Sequence, residues 1–445
     1  MSGRLWDKGE PLDEAMHRLT VGDDPVVDRH LVPFDCIGSA AHARMLAKIG
    51  VLTEKECESL LAALREIAAT GLEIPPELED VHTAIEARLT EKVGDAGRKI
   101  HTGRSRNDQV ALAMRLYTRD RAVRWLGGLA ELCDALLRRY DEAGEVPMPG
   151  YTHLQPAMPS TVGAWLHAFL EGCLELMREG LAVLDLMDAN PLGSGAGFGV
   201  PLPVDRSFTA SLLGFSRVQR SPLDVQNSRG RHEARLLAWG SAIGGLLEKL
   251  AWDVQLFSTR EFGFFSLPAE LATGSSIMPQ KRNPDLVELL RAGAGRVRGA
   301  AAELAWVSAK LPSSYHRDLQ YTKAPLLRGV AAVDTMLEMA VLVVGGIQVN
   351  AERLREAMYP DLYATHAAYR LAREGVPFRD AYRQVAEQGG EFDPSEFAAE
   401  ARLLSERTSA DVAAAREELS ALKQQTAAWA ERLQQAETAC LGVGE

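Results

Sequence analysis

Residues 274–311 read "GSSIMPQKRNPDLVELLRAGAGRVRGAAAELAWVSAKL", and the two halves of this stretch obey different rules. The first half crowds the hydroxyls of Ser275 and Ser276, the amide of Gln280 and the cations Lys281 and Arg282 into a run with no packing pattern. From Pro284 and Asp285 the pattern turns helical, through Leu286, Val287, Glu288, Leu289 and Leu290, and it continues to Leu311. A helix this long, apolar around much of its circumference, has to be buried on more than one side. The polar run therefore sits at the end of a buried helix.

Similar long segments fill the middle of the chain, at 160–187, 231–258 and 324–344, each bounded by helix stops. Strand signals are nearly absent. The expected fold is all-α, with an N-terminal helical domain at 1–105, a central long-helix bundle at 106–355 and a C-terminal helical domain at 356–445. From residue 356 the composition shifts to Ala, Glu, Arg and Gln, which points to shorter, more exposed helices. One bundle of three to five helices cannot cover so many apolar faces, so burial against other copies of the chain is expected.

Composition narrows the functional classes. The chain has 445 residues, 46% hydrophobic and 25% charged, as in ordinary globular proteins. A net charge of -12 argues against nucleic acid and anionic membranes as partners, so an anionic substrate needs a locally basic pocket. The N-terminal "MSGRLWDKGEPLDEAM" has no signal-peptide core, and the apolar run "MLEMAVLVVGGIQV" is broken by Glu338 and too short to span a bilayer. Cys36, Cys57, Cys133, Cys173 and Cys440 show neither CxxC spacing nor His partners, which fits reduced thiols in a cytoplasm and no metal site.

Three polar islands interrupt the helical text. The first, "KIHTGRSRNDQV" (99–110), groups Ser105, Arg106 and Asn107 with other polar side chains before a helix. Arginine and asparagine there offer fixed donors for carboxylates, though a solvated helix start has the same composition. The second, "PGYTHLQPAMPST" (149–161), places Thr152 and His153 in a rigid polar turn before a long apolar helix. A lone histidine is more often structural than catalytic, but this one could exchange a proton near neutral pH. The third is the opening stretch. Its Gly and Ser residues can turn successive N–H groups onto one anion. Asn283 reads as a helix N-cap with Pro284 at the first helical position, and Lys281 adds a full charge.

With these residues in view, "GSSIMPQKRNP" resembles the signature of the fumarase/aspartase superfamily of helical tetramers. "HTGRSRNDQ", "YTHLQPA" and the "PQK" of the signature are similar to the argininosuccinate lyases within it. The resemblance covers most of the chain and weakens after about residue 390. It implies a three-domain fold, a homotetramer with shared active sites, and cleavage of argininosuccinate to arginine and fumarate, the last step of arginine biosynthesis. No cofactor or metal is implied.

By the same resemblance Ser275 abstracts the proton beside a carboxylate. His153 assists as general acid or positions a water, Glu288 orients that histidine, and Lys281 stabilises the doubly negative intermediate. Which of Ser275 and His153 moves which proton stays open. Ser105, Arg106, Asn107, Thr152, Asn283, Tyr315, Gln320 and Lys323 match substrate contacts, the last three from "YHRDLQYTK", where Gln320 and Lys323 are neighbours on a helix. Three positions depart from the family pattern. Asp24 stands where a substrate-binding serine is common and Ala113 where an Asp is common, and "DVQNSRGRHE" keeps only Arg229 of a Ser-Asp-Arg-Asp run.

Three other readings compete: another lyase of the superfamily acting on adenylosuccinate or a related succinyl compound, a non-catalytic crystallin-like protein, and a purely helical scaffold or binding protein. Gln280 and the first island argue against the first, and the presence of Ser275, His153, Lys281 and Glu288 argues against the second. The third would leave the three polar islands unexplained. Residues 272–280 are small or lightly anchored, with Gly274 free to hinge, so this loop is expected to open and close over a substrate.

Overall fold

The computed structural model describes residues 13–390 and 392–442. Helices dominate, as the periodicity required. Five long ones form the centre: α1 (Arg106–Ala143), α2 (Val162–Met187), α3 (Arg231–Phe257), α4 (Asp285–Val307) and α5 (Lys323–Gly346). α1 packs on α2 and α5, while α3 packs on α2, α4 and α5. Each start has a local cause. Ser105 caps α1, its hydroxyl taking the N–H of Asn107 while Asp108 takes the N–H of Ser105. Thr161 caps α2 by accepting from Ala164.

The bundle closes around two tryptophans. The rings of Trp125 and Trp239 lie 5.3 Å apart, and both are wholly buried. Burying an indole requires a partner for its N–H. Trp125 donates to Asp334 over 2.7 Å, and Trp239 donates to the Leu176 carbonyl over 2.9 Å. Gly180 makes room, since a Cβ there would come within 2.3 Å of the Trp239 ring.

Three expectations change. The second polar island is not a turn alone but a β-hairpin of β1 (Pro147–Thr152) and β2 (Gln155–Thr161), antiparallel with an irregularity at Gly150/Tyr151. Helix α4 starts one residue later than expected. Asn283 pairs with Thr273 in a two-residue ladder instead of capping, Pro284 takes the cap position, and the Thr273 hydroxyl bonds Asp285. The tail also differs. After the short helices Ala364–Arg373 and Phe378–Glu387 comes α6 (Ala398–Leu441), 44 residues long.

The charged composition of α6 conceals a thin apolar stripe. Val412, Ala415, Leu419, Leu422, Thr426, Trp429, Leu433, Ala436 and Cys440 alternate three- and four-residue steps along one face. That face lies against α2, α1 and the early helix Val32–Lys48. Arg44 Nε reaches the Cys440 carbonyl over 3.0 Å, and Arg65 Nη2 reaches that of Leu441 over 2.7 Å. All five cysteines are buried free thiols. Among the described residues no helix is long and apolar enough to cross a membrane, and no cluster of His, Cys, Asp or Glu is arranged to hold a metal ion.

Candidate active site

The first and last groups of expected contacts converge on one pocket, except for Ser105, whose hydroxyl is taken up in capping α1 and which is not in the pocket lining. Arg106 and Asn107, from the first turn of α1, line it together with Tyr315, Gln320 and Lys323 from the segment leading into α5. Asp24 and Arg229 complete the wall. Gln320 and Lys323 are neighbours as expected, but on a 3-10 turn (Arg317–Thr322) running into α5, with Tyr315 in the irregular chain before it. Gln320 Nε2 donates to the carbonyls of Thr20 and Val21 over 2.9 and 3.1 Å, and Arg317 joins it on Thr20. These bonds seat the Thr20–Asp24 segment at the pocket mouth.

Most cations here already face carboxylates. Arg106 Nη1 lies 3.3 Å from both Glu79 and Asp80. Lys323 Nζ lies 2.9 Å from Asp24 and 2.7 Å from Asp28. Burial alone would lower the Lys323 pKa, but the two carboxylates outweigh it and raise it. Burial also lifts Asp24 to about 6, with Lys323 opposing the shift. Arg229 differs: its Nε and Nη1 are buried without any hydrogen-bond partner, and the Tyr315 ring stands 5.7 Å away.

A buried network fixes the first island from below. Arg104 donates to Ser39 over 2.9 Å, and Ser39 donates to Asp35. Asp35 also meets His82 Nδ1 at 2.9 Å and takes both oxygens' worth of bonding from the Gln109 amide. Burial pushes Asp35 up, yet His82, Arg104 and Gln109 hold it below the ordinary carboxylate value. Asp108, wholly buried, accepts the N–H groups of Gly193 and Gly195 over 3.0 and 2.9 Å, tying the "GSGAGFG" loop to α1. Gly193 and Gly195 need positive φ for this, at 82° and 59°.

The remaining expected residues sit elsewhere. Thr152 ends β1 and is exposed, and His153 with Leu154 forms the two-residue hairpin loop at φ 55° and 58°. Both angles are left-handed, the geometry that lets a two-residue loop follow the strand twist. Leucine rarely adopts it, so the tip holds strain of a kind common at functional sites. Tyr151, one pair back from the hairpin loop's closing pair, packs within 5.6–6.4 Å of Phe257, Phe262 and Phe264. The hairpin is thereby joined to the root of the next loop.

That loop carries Ser275. Its stem is the Thr273–Gly274 and Arg282–Asn283 ladder, and its tip is open, with Ile277 82% exposed. Ser275 Oγ accepts the N–H groups of Ile277 and Met278 over 3.4 and 3.1 Å. Two donors on one hydroxyl oxygen favour its deprotonated form. Lys281, Asn283 and Glu288 line an adjacent open cavity of 820 Å³ with Gln255, Ser258 and Thr259. Glu288 accepts from Gln255 over 3.1 Å, and among the described residues no hydrogen bond or ion pair joins it to His153 of the same chain.

The two groups lie at opposite ends of the bundle. Lys323 starts α5 beside Arg106 at the start of α1, and Arg139 near the end of α1 donates to the Gly345 carbonyl at the end of α5. The helices are parallel, and 24 residues of α5 span about 36 Å. The Ser275 loop sits at the far end, where Leu271 packs on Gly346. Sequence reasoning did not foresee the Asp28 pairing or the unpartnered state of Arg229.

Comparisons with known proteins show the family and the fold. A family described as Lyase matches residues 15–299. The argininosuccinate lyase of Sorangium cellulosum is 47% identical over 390 residues, 87% of this chain and 90% of its own length. That of Thermotoga neapolitana is 41% identical over 394 residues, 88% and 99% of the two chains. An EDDS lyase variant with bound fumarate shares the fold, with a TM-score of 0.82 over 97% of this chain and 95% of its own at 23% identity. A class II fumarase from Schistosoma mansoni gives 0.71 over 87% and 94% at 19% identity. The fold and the loop-bearing bundle are those of a lyase of the fumarase/aspartase superfamily. Within that superfamily the chain belongs to the argininosuccinate lyase family.

Proposed function

We propose that this chain cleaves argininosuccinate into arginine and fumarate, acting as a homotetramer in the cytoplasm. One observation carries the assembly: the Ser275 loop and the Lys323 pocket of a single chain stand about 36 Å apart. A small substrate cannot touch both. A second and a third copy, packed on the exposed faces of the bundle, would bring a loop and a hairpin to each pocket. Five free thiols fit a reducing compartment.

In the chemical step Ser275 takes the proton from the carbon next to a succinyl carboxylate. The N–H groups of Ile277 and Met278 stabilise the serine oxyanion that does so. The aci-carboxylate that forms carries two negative charges, and Lys281 and Asn283 supply the opposing field. The C–N bond then breaks, and a proton reaches the departing guanidinium nitrogen from His153 or a water it positions. Glu288 charges that histidine from another chain. Ser105, Arg106, Asn107, Thr152, Tyr315, Gln320 and Lys323 hold the substrate. The test is fumarate absorbance from argininosuccinate and adenylosuccinate in parallel. Fumarate from the former alone is expected; release from adenylosuccinate alone overturns the reading.

A further inference from the structure

The Lys323 pocket has an unequal charge arrangement. Arg106 is matched by Glu79 and Asp80, and Lys323 by Asp24 and Asp28. Arg229 lies in the same wall, 7% exposed, with Nε and Nη1 bonded to nothing. A buried guanidinium with open donors is costly unless an acceptor arrives. Its planar fork suits a carboxylate. Asp24 is the complementary group. It spends one oxygen on Lys323, at 2.9 Å. Arg229 feels the charge of Glu233, four residues on, most strongly and that of Asp24 after it, yet among the described residues neither carboxylate forms a hydrogen bond or ion pair with it. The Gln320 and Arg317 bonds to Thr20 and Val21 hold the Asp24 segment in place. Burial raises Asp24 to about 6 even with Lys323 beside it, so an incoming ammonium would keep it ionised. The cavity between these groups is 40 Å³, room for about three waters and too little for a purine.

We infer that Arg229 and Asp24 form a clamp for the α-amino-acid end of the arginine moiety, Arg229 taking its carboxylate and Asp24 its ammonium. The clamp rests on the argininosuccinate reading and deepens it. It gives Asp24, where a serine is common, a positive function. It also gives Lys323 a second task beside holding the substrate, that of positioning Asp24. Selectivity against succinyl compounds without an amino-acid end follows, because they would leave the buried Arg229 donors unbonded.

The experiment uses the purified full chain and three competitors of fumarate release: arginine, agmatine (no carboxylate) and Nα-acetylarginine (no ammonium). Wild type should bind arginine about tenfold or more tightly than either analogue. In Arg229→Gln the arginine-to-agmatine ratio should fall toward one, with inhibition by fumarate unchanged, and Arg229→Lys should restore part of it. In Asp24→Asn the arginine-to-acetylarginine ratio should collapse instead. Ratios that stay at wild-type values in both variants, or fumarate and arginine weakened equally, overturn the clamp. If wild type releases no fumarate from argininosuccinate, the reading of the reaction fails separately. Calorimetric titration of wild type and Arg229→Gln with arginine and agmatine then still decides the clamp.

Discussion

Lys323 and Asp28 meet at 2.7 Å with the carboxylate wholly out of solvent, joining the first turn of α5 to a segment near the N-terminus. Removing one member of such a buried pair strands the other. Asp28→Ala should lower stability by about 3 kcal/mol or more in denaturant unfolding. The double variant with Lys323→Met should cost less than the sum of the two single changes. Strict additivity would show that the pair is not coupled.

Ser275 is half-buried in an open loop, so its loss disturbs no core. Ser275→Ala should unfold and assemble like wild type while turnover drops by about 10²–10⁴. Lys281→Met should be comparably damaging through the lost field. Near-normal turnover in Ser275→Ala would pass the base role to His153.

Separation of the two groups along α5 allows a complementation test. Ser275→Ala and Lys323→Met, each inactive alone, damage opposite ends of the bundle. Co-refolded, some centres draw an intact loop from one variant and an intact pocket from the other. Activity should recover to about a quarter of wild type for random mixing. No recovery, with mixed assemblies confirmed by native mass spectrometry, would contradict shared sites.

Stability should fall on mild acidification. Burial and Arg104 lower His42 from 6.5 to about 3, and burial with neighbouring arginines lowers His232 to about 2. Both are neutral in the folded chain, so their contribution is present above pH 6.5 and lost as pH falls toward 3. Each steepens the decline by about 1.4 kcal/mol per pH unit below 6. His42→Gln, which can still donate to the Thr102 carbonyl, should flatten the profile of denaturation midpoints between pH 7 and 5.

Residues 272–282 should close when ligand binds. Hydrogen exchange across them should slow on adding fumarate or argininosuccinate, while exchange in α4 beyond its first turn stays the same. An unchanged pattern at saturation would mean a preformed site.

The pocket lining was legible where the polar residues are close in sequence. Arg106, Asn107, Gln320 and Lys323 stand in recognisable polar runs, and they do meet in one pocket. The hairpin was not, because its first strand holds Pro147 and Pro149 and its turn is His153–Leu154 rather than Asn-Gly. Asn283 looks like a cap until Thr273 claims it as a strand partner, a contact made by folding the loop back. Arg229 was visible only as a surviving letter. Its significance is the lack of a partner, which no sequence displays. The stripe on α6 failed for a different reason: alanine and threonine count weakly in composition, yet they pack well at regular spacing.

The bonds from Arg44 and Arg65 to the carbonyls of Cys440 and Leu441 set an order of events during synthesis. Arg65 and Leu441 are 376 residues apart, so a ribosome makes the second roughly 20 to 75 s after the first. For that interval the helices at Val32–Lys48 and Glu54–Thr70 have emerged without the strut that completes their outer side. Closure over the early helices therefore waits until residues 440 and 441 have been made, and until then these helices are a part of the nascent chain that a holding chaperone would find uncovered.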